Sequence, residues 1–140
     1  MIGKDRYGLP IALQPPPLLS SLPGPTQANI VVVVPLLFGA VCGFLLSESE
    51  PGWVIGNVIA ALGGIAGGYE HENPRSGAAR GALAGLMFGV GIVIADAVTA
   101  AEPIAETPEP IILLPALIVI LGTALGGLGG KLRARHEAGA

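Results

Sequence analysis

The chain has 140 residues, of which 51% are hydrophobic and only 12% are charged, and its mean hydropathy is +0.70. This composition is too apolar for a soluble domain and indicates an integral membrane protein with one domain at most. The net charge of −3 and the lack of a basic run with interleaved aromatics exclude a nucleic-acid partner. The single cysteine, Cys42, lies in an apolar run, so no disulfide framework is possible and we interpret it as a buried apolar residue.

Residues 1–29 form a proline-rich arm that we expect to lie on the cytoplasmic membrane surface or on a partner. The prolines of this arm prevent it from forming a continuous helix. They would also break the apolar region of a signal peptide, although Lys4 and Arg6 precede that region. The contacts of the arm would be apolar, through Leu9, Ile11, Leu13, Leu18 and Leu19.

Four apolar segments follow, and each is close to the length of about 20 residues that spans a bilayer as a helix. They cover residues 30–47, 52–69, 77–98 and 111–130. The sequence therefore predicts an all-α membrane protein with a four-helix transmembrane domain at 30–131 and a short basic cytoplasmic tail at 132–140. Pro35 and Pro115 fall beyond the first turn of their predicted helices, where a mild kink is expected.

Charge is distributed unequally between the two sides of this topology. All the basic residues fall on one side: Lys4, Arg6, Arg75, Arg80, Lys131, Arg133 and Arg135. The first and third loops contain no lysine or arginine but carry Glu48, Glu50, Glu102, Glu106 and Glu109. By the positive-inside rule, this pattern predicts a multi-pass protein of the cell membrane with both termini in the cytoplasm.

An internal repeat relates the first half of the chain to the second. LLFGAVCGFLL at 36–46 aligns with LMFGVGIVIAD at 86–96, and LGGIAGG at 62–68 aligns with LGGLGG at 125–130. The first span thus resembles the third, and the second resembles the fourth. This predicts two tandem helical hairpins in one orientation, unlike the inverted repeats of many transporters.

Glycines recur at intervals of four in all four predicted helices, which places them on one face of each helix. They are Gly39 and Gly43; Gly56, Gly64 and Gly68, with Ala60 completing the row; Gly77, Gly81, Gly85 and Gly89; and Gly122, Gly126 and Gly130. In lipid, helices associate through close backbone approach and dispersion between small residues. The rows predict small-xxx-small packing, either between helices of one chain or between copies.

Polar residues within the spans are few. Asp96, late in the third span, could contact a cation or the arginine of a partner, but the favoured interpretation is that it reaches the outer interface. Asn57 and Thr123 could form hydrogen bonds between helices that contribute about 0.6 to 2 kcal/mol each.

The loop YEHENPRSG combines acidic residues and a histidine at 70–72, and His136 is predicted on the same side. Adjacent residues in a short loop cannot readily point at one ion, and no HxxxH or ExxH spacing occurs, so no metal site is predicted. Instead, Asn73-Pro74 is expected to turn the chain, and Ser76 to cap the third helix. No cofactor motif or catalytic constellation occurs, and an enzyme is not predicted.

The pattern GGIAGGY, a short polar turn and then GAARGALAGL, at residues 63–86, resembles an uncharacterised class of small multi-pass membrane proteins with a GGxxAGY-type turn. The resemblance implies a helical hairpin in a membrane and does not imply a function.

Two functions are compatible with these features. The first is a non-enzymatic accessory subunit packed into a larger membrane complex. The alternative is a homo-oligomeric cation channel in which Asp96 and the loop glutamates form an acidic outer vestibule. The expected partners are the lipid bilayer and either other membrane subunits or copies of the chain. A transporter component is disfavoured because polar residues are lacking at the midplane.

Overall fold

The computed structural model describes residues 16–139, and within them the regular structure is helical. After a short 3-10 turn at Leu19–Ser21, four long helices follow. They are α1 (Gly24–Glu48), α2 (Glu50–Tyr69), α3 (Pro74–Thr99) and α4 (Leu113–Ala138). Each is long and apolar enough to cross a membrane. The prediction of an all-α protein with four candidate membrane spans is confirmed.

At the end of the bundle where α1 begins and α4 ends, these two helices extend beyond the predicted spans. The first helix begins at Gly24, so the last part of the predicted arm is helical, and α4 continues to Ala138 through most of the predicted tail. Basic residues stabilise the C-terminal end of a helix, and the last turn of α4 contains Arg135 and His136. The predicted contacts of Leu9, Ile11 and Leu13, together with Lys4 and Arg6, lie outside the described residues.

The N-terminus of α3 is capped by Asn73, and the predicted role of Ser76 as the cap was wrong. The side-chain oxygen of Asn73 accepts a hydrogen bond from the backbone N–H of Ser76 at 3.0 Å. Pro74 occupies the first turn, where its missing N–H removes no helical hydrogen bond. The helix therefore starts at Pro74, ahead of the predicted Gly77.

The two helical prolines have different consequences. Residues Asn29–Val33 form a π-helical turn directly before Pro35, which has no N–H to donate to the preceding turn. The distortion of α1 is therefore at the expected place. Pro115, in contrast, lies in the first turn of α4 because this helix begins at Leu113. A proline is tolerated there, and the reason for a kink disappears.

The helices do not pack equally in all pairs. The most extensive contact joins α3 to α4, the next joins α1 to α3, and α2 packs mainly on α4. Gly77 of α3 faces Gly126, whereas Gly85 faces Ile118, so α3 and α4 run antiparallel. A small core of Cys42, Leu46, Phe88 and Ile92 lies between α1 and α3.

Backbone contacts bring separate segments together at the two ends of the bundle. At one end the N–H of Leu19 donates to the carbonyl of Glu70 at 3.1 Å. We call this the basic end, and it carries Arg75, Lys131, Arg133 and Arg135. At the other end the N–H of Ile104 donates to the carbonyl of Leu46 at 3.0 Å. We call this the acidic end, and it carries Glu48, Glu50, Glu102, Glu106 and Glu109, all exposed.

Candidate functional site

The glycines of α3 lie against the backbone of α4. A Cβ added at Gly77 or Gly81 would collide with a main-chain carbonyl of α4, at Gly126 and Gly122 respectively. At Gly85 it would lie 2.8 Å from the carbonyl oxygen of Ile118. Main-chain atoms cannot move aside as a side chain can, so these positions accept only glycine at this helix separation.

The remaining glycines singled out in the sequence also lie close to neighbouring helices, but against different kinds of atom. An added Cβ would meet backbone at Gly39, Gly43, Gly68, Gly89, Gly122, Gly126 and Gly130. At Gly56 it would meet the Sγ atom of Cys42 at 2.7 Å, and at Gly64 the Cβ of Leu125 at 3.5 Å. Sequence reasoning missed Gly91 and Gly129, which meet the backbones of α1 and α2. Neither belongs to the row at intervals of four on its own helix.

The predicted polar contacts form no link between helices. Asn57 donates from Nδ2 to the carbonyl of Trp53 at 2.8 Å, and Thr123 donates to the carbonyl of Val119 at 2.6 Å. Both are bonds to the preceding turn of the same helix, an arrangement that competes with contacts to a neighbour. Asp96 is partly buried near the end of α3. Within residues 16–139 the ion pair is Arg133–Glu137, so Asp96 has no arginine partner there.

A groove of about 380 Å³ lies between the four helices in the half of the bundle towards the basic end. Its walls are apolar, with Phe38 and Phe88 among the lining residues, and the polar side chains that reach it are Asn57 and Arg80. Val34, Ile59 and Leu121 also line the groove and are each more than half exposed. The groove is thus open to the surroundings of the bundle at its sides.

Between α1 and α2, the close approaches at glycines lie near the residue that joins the two helices. A Cβ added at Gly52 would lie 3.2 Å from Leu45, and Gly56 contacts Cys42. Farther from the link, α1 carries branched residues at 30–34 in place of glycines. Branched side chains keep the backbones apart, and the space between the helices widens into the groove.

Arg80 is the charged residue of this groove, and sequence reasoning treated it only as a cation flanking a loop. It lies in α3 about two turns from Pro74, with its guanidinium against the backbone of Gly67. A Cβ at Gly67 would lie 2.7 Å from Cζ of Arg80. The Nε atom of Arg80 is buried and has no hydrogen-bond partner within the described residues. The signal that could have found it is its position, because Arg80 lies inside the predicted third span at 77–98, where an ionisable side chain indicates a candidate functional residue.

Arg133 is a buried arginine at the basic end, and its guanidinium has hydrogen-bond partners. Its residue exposure is 6%, and its Nε donates to Glu137 at 2.7 Å. Its Nη1 donates to the carbonyls of Pro16 at 2.8 Å and Tyr69 at 3.3 Å. The guanidinium carbon also lies 5.8 Å from the centre of the Tyr69 ring, within the range of a cation–π contact. Arg133 thereby joins α4 to the end of α2 and to the segment before α1.

A second cavity, of about 300 Å³, lies at the basic end beside the α2–α3 turn. Glu70 and His71 line it, and Oε2 of Glu70 is buried without a partner in the described part of the chain. His71 Nδ1 lies 3.1 Å from the carbonyl oxygen of Gly67. Among residues 16–139, no group of three acidic, histidine or cysteine side chains is placed to hold a metal ion.

Comparison with known proteins gives no relative: the chain matches no family profile, no curated protein and no solved structure.

Proposed function

We propose that this protein is a non-enzymatic accessory subunit that packs into a larger complex of the cell membrane, with both termini in the cytoplasm. The observation that carries the proposal is the exposed face of α2. This helix has the lowest mean hydropathy of the four candidate spans and also the smallest buried share. The bundle itself leaves most of this helix uncovered, and a small residue on an exposed helix face allows close contact with the helix of another protein.

The face in question contains Ile55, Val58, Leu62 and the small residue Ala66, all exposed. They recur at intervals of three or four, which places them on one side of α2. We call them the α2 outer face. The small residue would admit the backbone of a partner helix, and the larger residues would pack on both sides of it.

The internal architecture that we propose is two tandem hairpins, α1–α2 and α3–α4, held by small-xxx-small contacts. Support comes from the aligned repeats at 36–46 and 86–96 and from the close approaches at Gly81 and Gly122. With these contacts made inside the chain, the glycine rows are used within the bundle. The outer face of α2 is then one of the exposed surfaces that remain for a partner.

The test is affinity purification of the full chain from its own membrane in a mild detergent, with the attached proteins identified and quantified. We expect a membrane protein in fixed ratio to the chain. Val58→Trp and Ala66→Trp should each remove most of it, because added bulk on the α2 outer face prevents close contact. Isolation of a lone monomer from the unchanged chain would contradict the proposal.

The matched control places the same bulk on another exposed helix face. Leu37 and Val41 of α1 are 61% and 54% exposed, and neither lines the groove. Leu37→Trp and Val41→Trp should leave the partner bound. Loss of the partner in these variants as well would indicate a general effect of tryptophan on solubilisation, and the α2 outer face would have to be abandoned.

A homo-oligomeric cation channel is the competing proposal, supported by the exposure of all five glutamates at the acidic end. Partly buried Asp96 would lie below this vestibule. Conductance in planar bilayers should then favour cations, and Asp96→Asn should reduce that preference because it removes a fixed negative charge. Unchanged selectivity in Asp96→Asn would reject the vestibule.

A further inference from the structure

We propose that the groove binds one acyl chain of an anionic phospholipid, whose phosphate is held by the guanidinium of Arg80. This binding site does not depend on the accessory function, since it would operate in the isolated chain. It joins two observations that are separate in the structure: an apolar groove open to the side, and an arginine in that groove with an unpartnered buried nitrogen.

The size and lining of the groove fit a hydrocarbon chain. Its volume of about 380 Å³ lies within the range of small-molecule pockets. Arg80 and Phe88 line it from the same helix, and eight residues of helix separate them by about 12 Å. A chain that starts at Arg80 and ends near Phe88 would therefore run along α3 towards the middle of the bilayer. It would lie against apolar side chains throughout.

The charge of Arg80 requires an anion that the described residues do not supply. A guanidinium carries five N–H donors and stays protonated, so its burial without partners is unfavourable. Glu70 is close enough for its charge to act on Arg80, but the two side chains form no ion pair within the described residues. A phosphate accepts two parallel hydrogen bonds from a guanidinium, which makes arginine well suited to this headgroup.

Arg80 lies close enough to the start of α3 to reach a lipid phosphate at the predicted cytoplasmic surface. Arg80 is six residues beyond Pro74, the first residue of α3, which corresponds to about 9 Å along the helix axis. Its side chain can extend from there towards the membrane surface while its methylenes remain in the apolar groove. The basic end is the predicted cytoplasmic side, where anionic lipids are concentrated. The phosphate of the headgroup would therefore lie beside Arg80 while the acyl chain occupies the groove.

The test is native mass spectrometry of the purified chain after delipidation and incubation with one of two lipids. These are phosphatidylglycerol and phosphatidylcholine with identical acyl chains. Both contain phosphate, but only the first has a net negative charge. We expect one bound phosphatidylglycerol per chain, retained about tenfold more than phosphatidylcholine, a ratio equivalent to one charged hydrogen-bonded contact. Equal retention of both lipids would overturn the proposal.

Arg80→Gln should abolish the preference for phosphatidylglycerol, whereas Arg80→Lys should retain part of it because the charge remains without the planar fork. The matched control is Arg75→Gln, which removes an exposed arginine from the same helix and the same end. It should preserve the preference. If Arg75→Gln reduced binding as much as Arg80→Gln, the lipid would be attracted by the general charge of the basic end, and the assignment to the groove would fail.

A third variant tests the groove independently of charge. Gly63 lines the groove, and a Cβ added there would meet no atom within 4 Å, so the side chain of Gly63→Leu would begin in open space and extend from the wall of the groove. The added side chain should reduce retention of both lipids. If Gly63→Leu bound phosphatidylglycerol as the unchanged chain does, the acyl chain would lie elsewhere. Binding of a second copy of the chain in place of lipid would also overturn the proposal, and the same spectra would show it as a dimer.

Discussion

The helix pairs α1–α2 and α3–α4 come from similar sequences, yet they pack differently. Along α3 and α4, backbones touch at successive positions from Gly77 to Gly89. Along α1 and α2, the glycines that closely approach the other helix are Gly52 and Gly56, and the groove opens on the side of Ile30 and Val34. The tight pair is the most extensive helix contact of the bundle. The open pair supplies the cavity and the outer face on which both proposals depend.

The difference follows from which neighbour each glycine faces. In α1, the repeat places Gly39 and Gly43 towards α3, where they meet Phe88 and Ile92. No glycines remain in α1 to face α2 between residues 30 and 38. The glycines of α1 that pack on α3 are not available to pack on α2. Close packing of α1 on α3 is therefore accompanied by looser packing of α1 on α2.

The strongest test of this comparison is Gly81→Leu in the tight pair. A leucine at this position would have to displace the backbone of Gly122, and overpacking of this kind destabilises by about 1 to 3 kcal/mol even where side chains can adjust. With a backbone opposite, we expect a loss of about 3 kcal/mol or more. The measurement is the thermal unfolding midpoint in detergent, followed by circular dichroism.

Gly63→Leu is the control for this effect, since it makes the same substitution at a position where an added Cβ meets no atom within 4 Å. It should shift the midpoint little, and replacement of a helical glycine even favours the helix by a few tenths of a kcal/mol. If both leucines destabilised equally, the cause would be the loss of glycine itself. The distinction between tight and open pairs would then have no energetic basis.

Much of the fold was predictable because length, hydropathy and glycine spacing are local properties of the sequence. The four spans follow from the apolar segments, and the rows of glycines follow from the period of the helix. The helix against which each row of glycines packs is not a local property of the sequence. Gly77 and Gly81 could face another copy equally well on sequence grounds, and only the packing of four helices assigns them to α4.

The groove and Arg80 escaped prediction for the same reason. A cavity is defined by side chains from four helices that are distant in sequence, and no single segment contains a sign of it. From the sequence, Arg80 served only as an orientation signal, although it lies inside the predicted third span at 77–98. Its contact with Gly67 of α2 and its place in the groove depend on how the helices pack. These contacts change its interpretation from an orientation signal to a candidate binding residue.

A smaller effect is expected from Gly56→Ala at the contact of the open pair. The added Cβ would lie 2.7 Å from Sγ of Cys42, and a side chain can shift where a backbone cannot. We expect a loss of about 1 kcal/mol, measured by the same thermal unfolding. In a Cys42→Ala background this loss should vanish, since the sulfur is no longer there. A loss that persists in the double variant would mean that α1 and α2 are held by contacts other than this one.

The smallest effect is expected from substitution of Asn57, which lies in α2 of the open pair. Because its amide bonds only to the carbonyl of Trp53 in its own helix, Asn57→Leu should change the free energy of unfolding by less than about 0.5 kcal/mol. An interhelical hydrogen bond, as considered from the sequence, would make the loss about 0.6 to 2 kcal/mol. Asn57 also lines the groove, so Asn57→Leu should keep the preference for phosphatidylglycerol that Arg80→Gln removes. If Asn57→Leu kept its stability but lost the preference for phosphatidylglycerol, the polar side chains of the groove together would recognise the lipid. The guanidinium of Arg80 would then have no specific role.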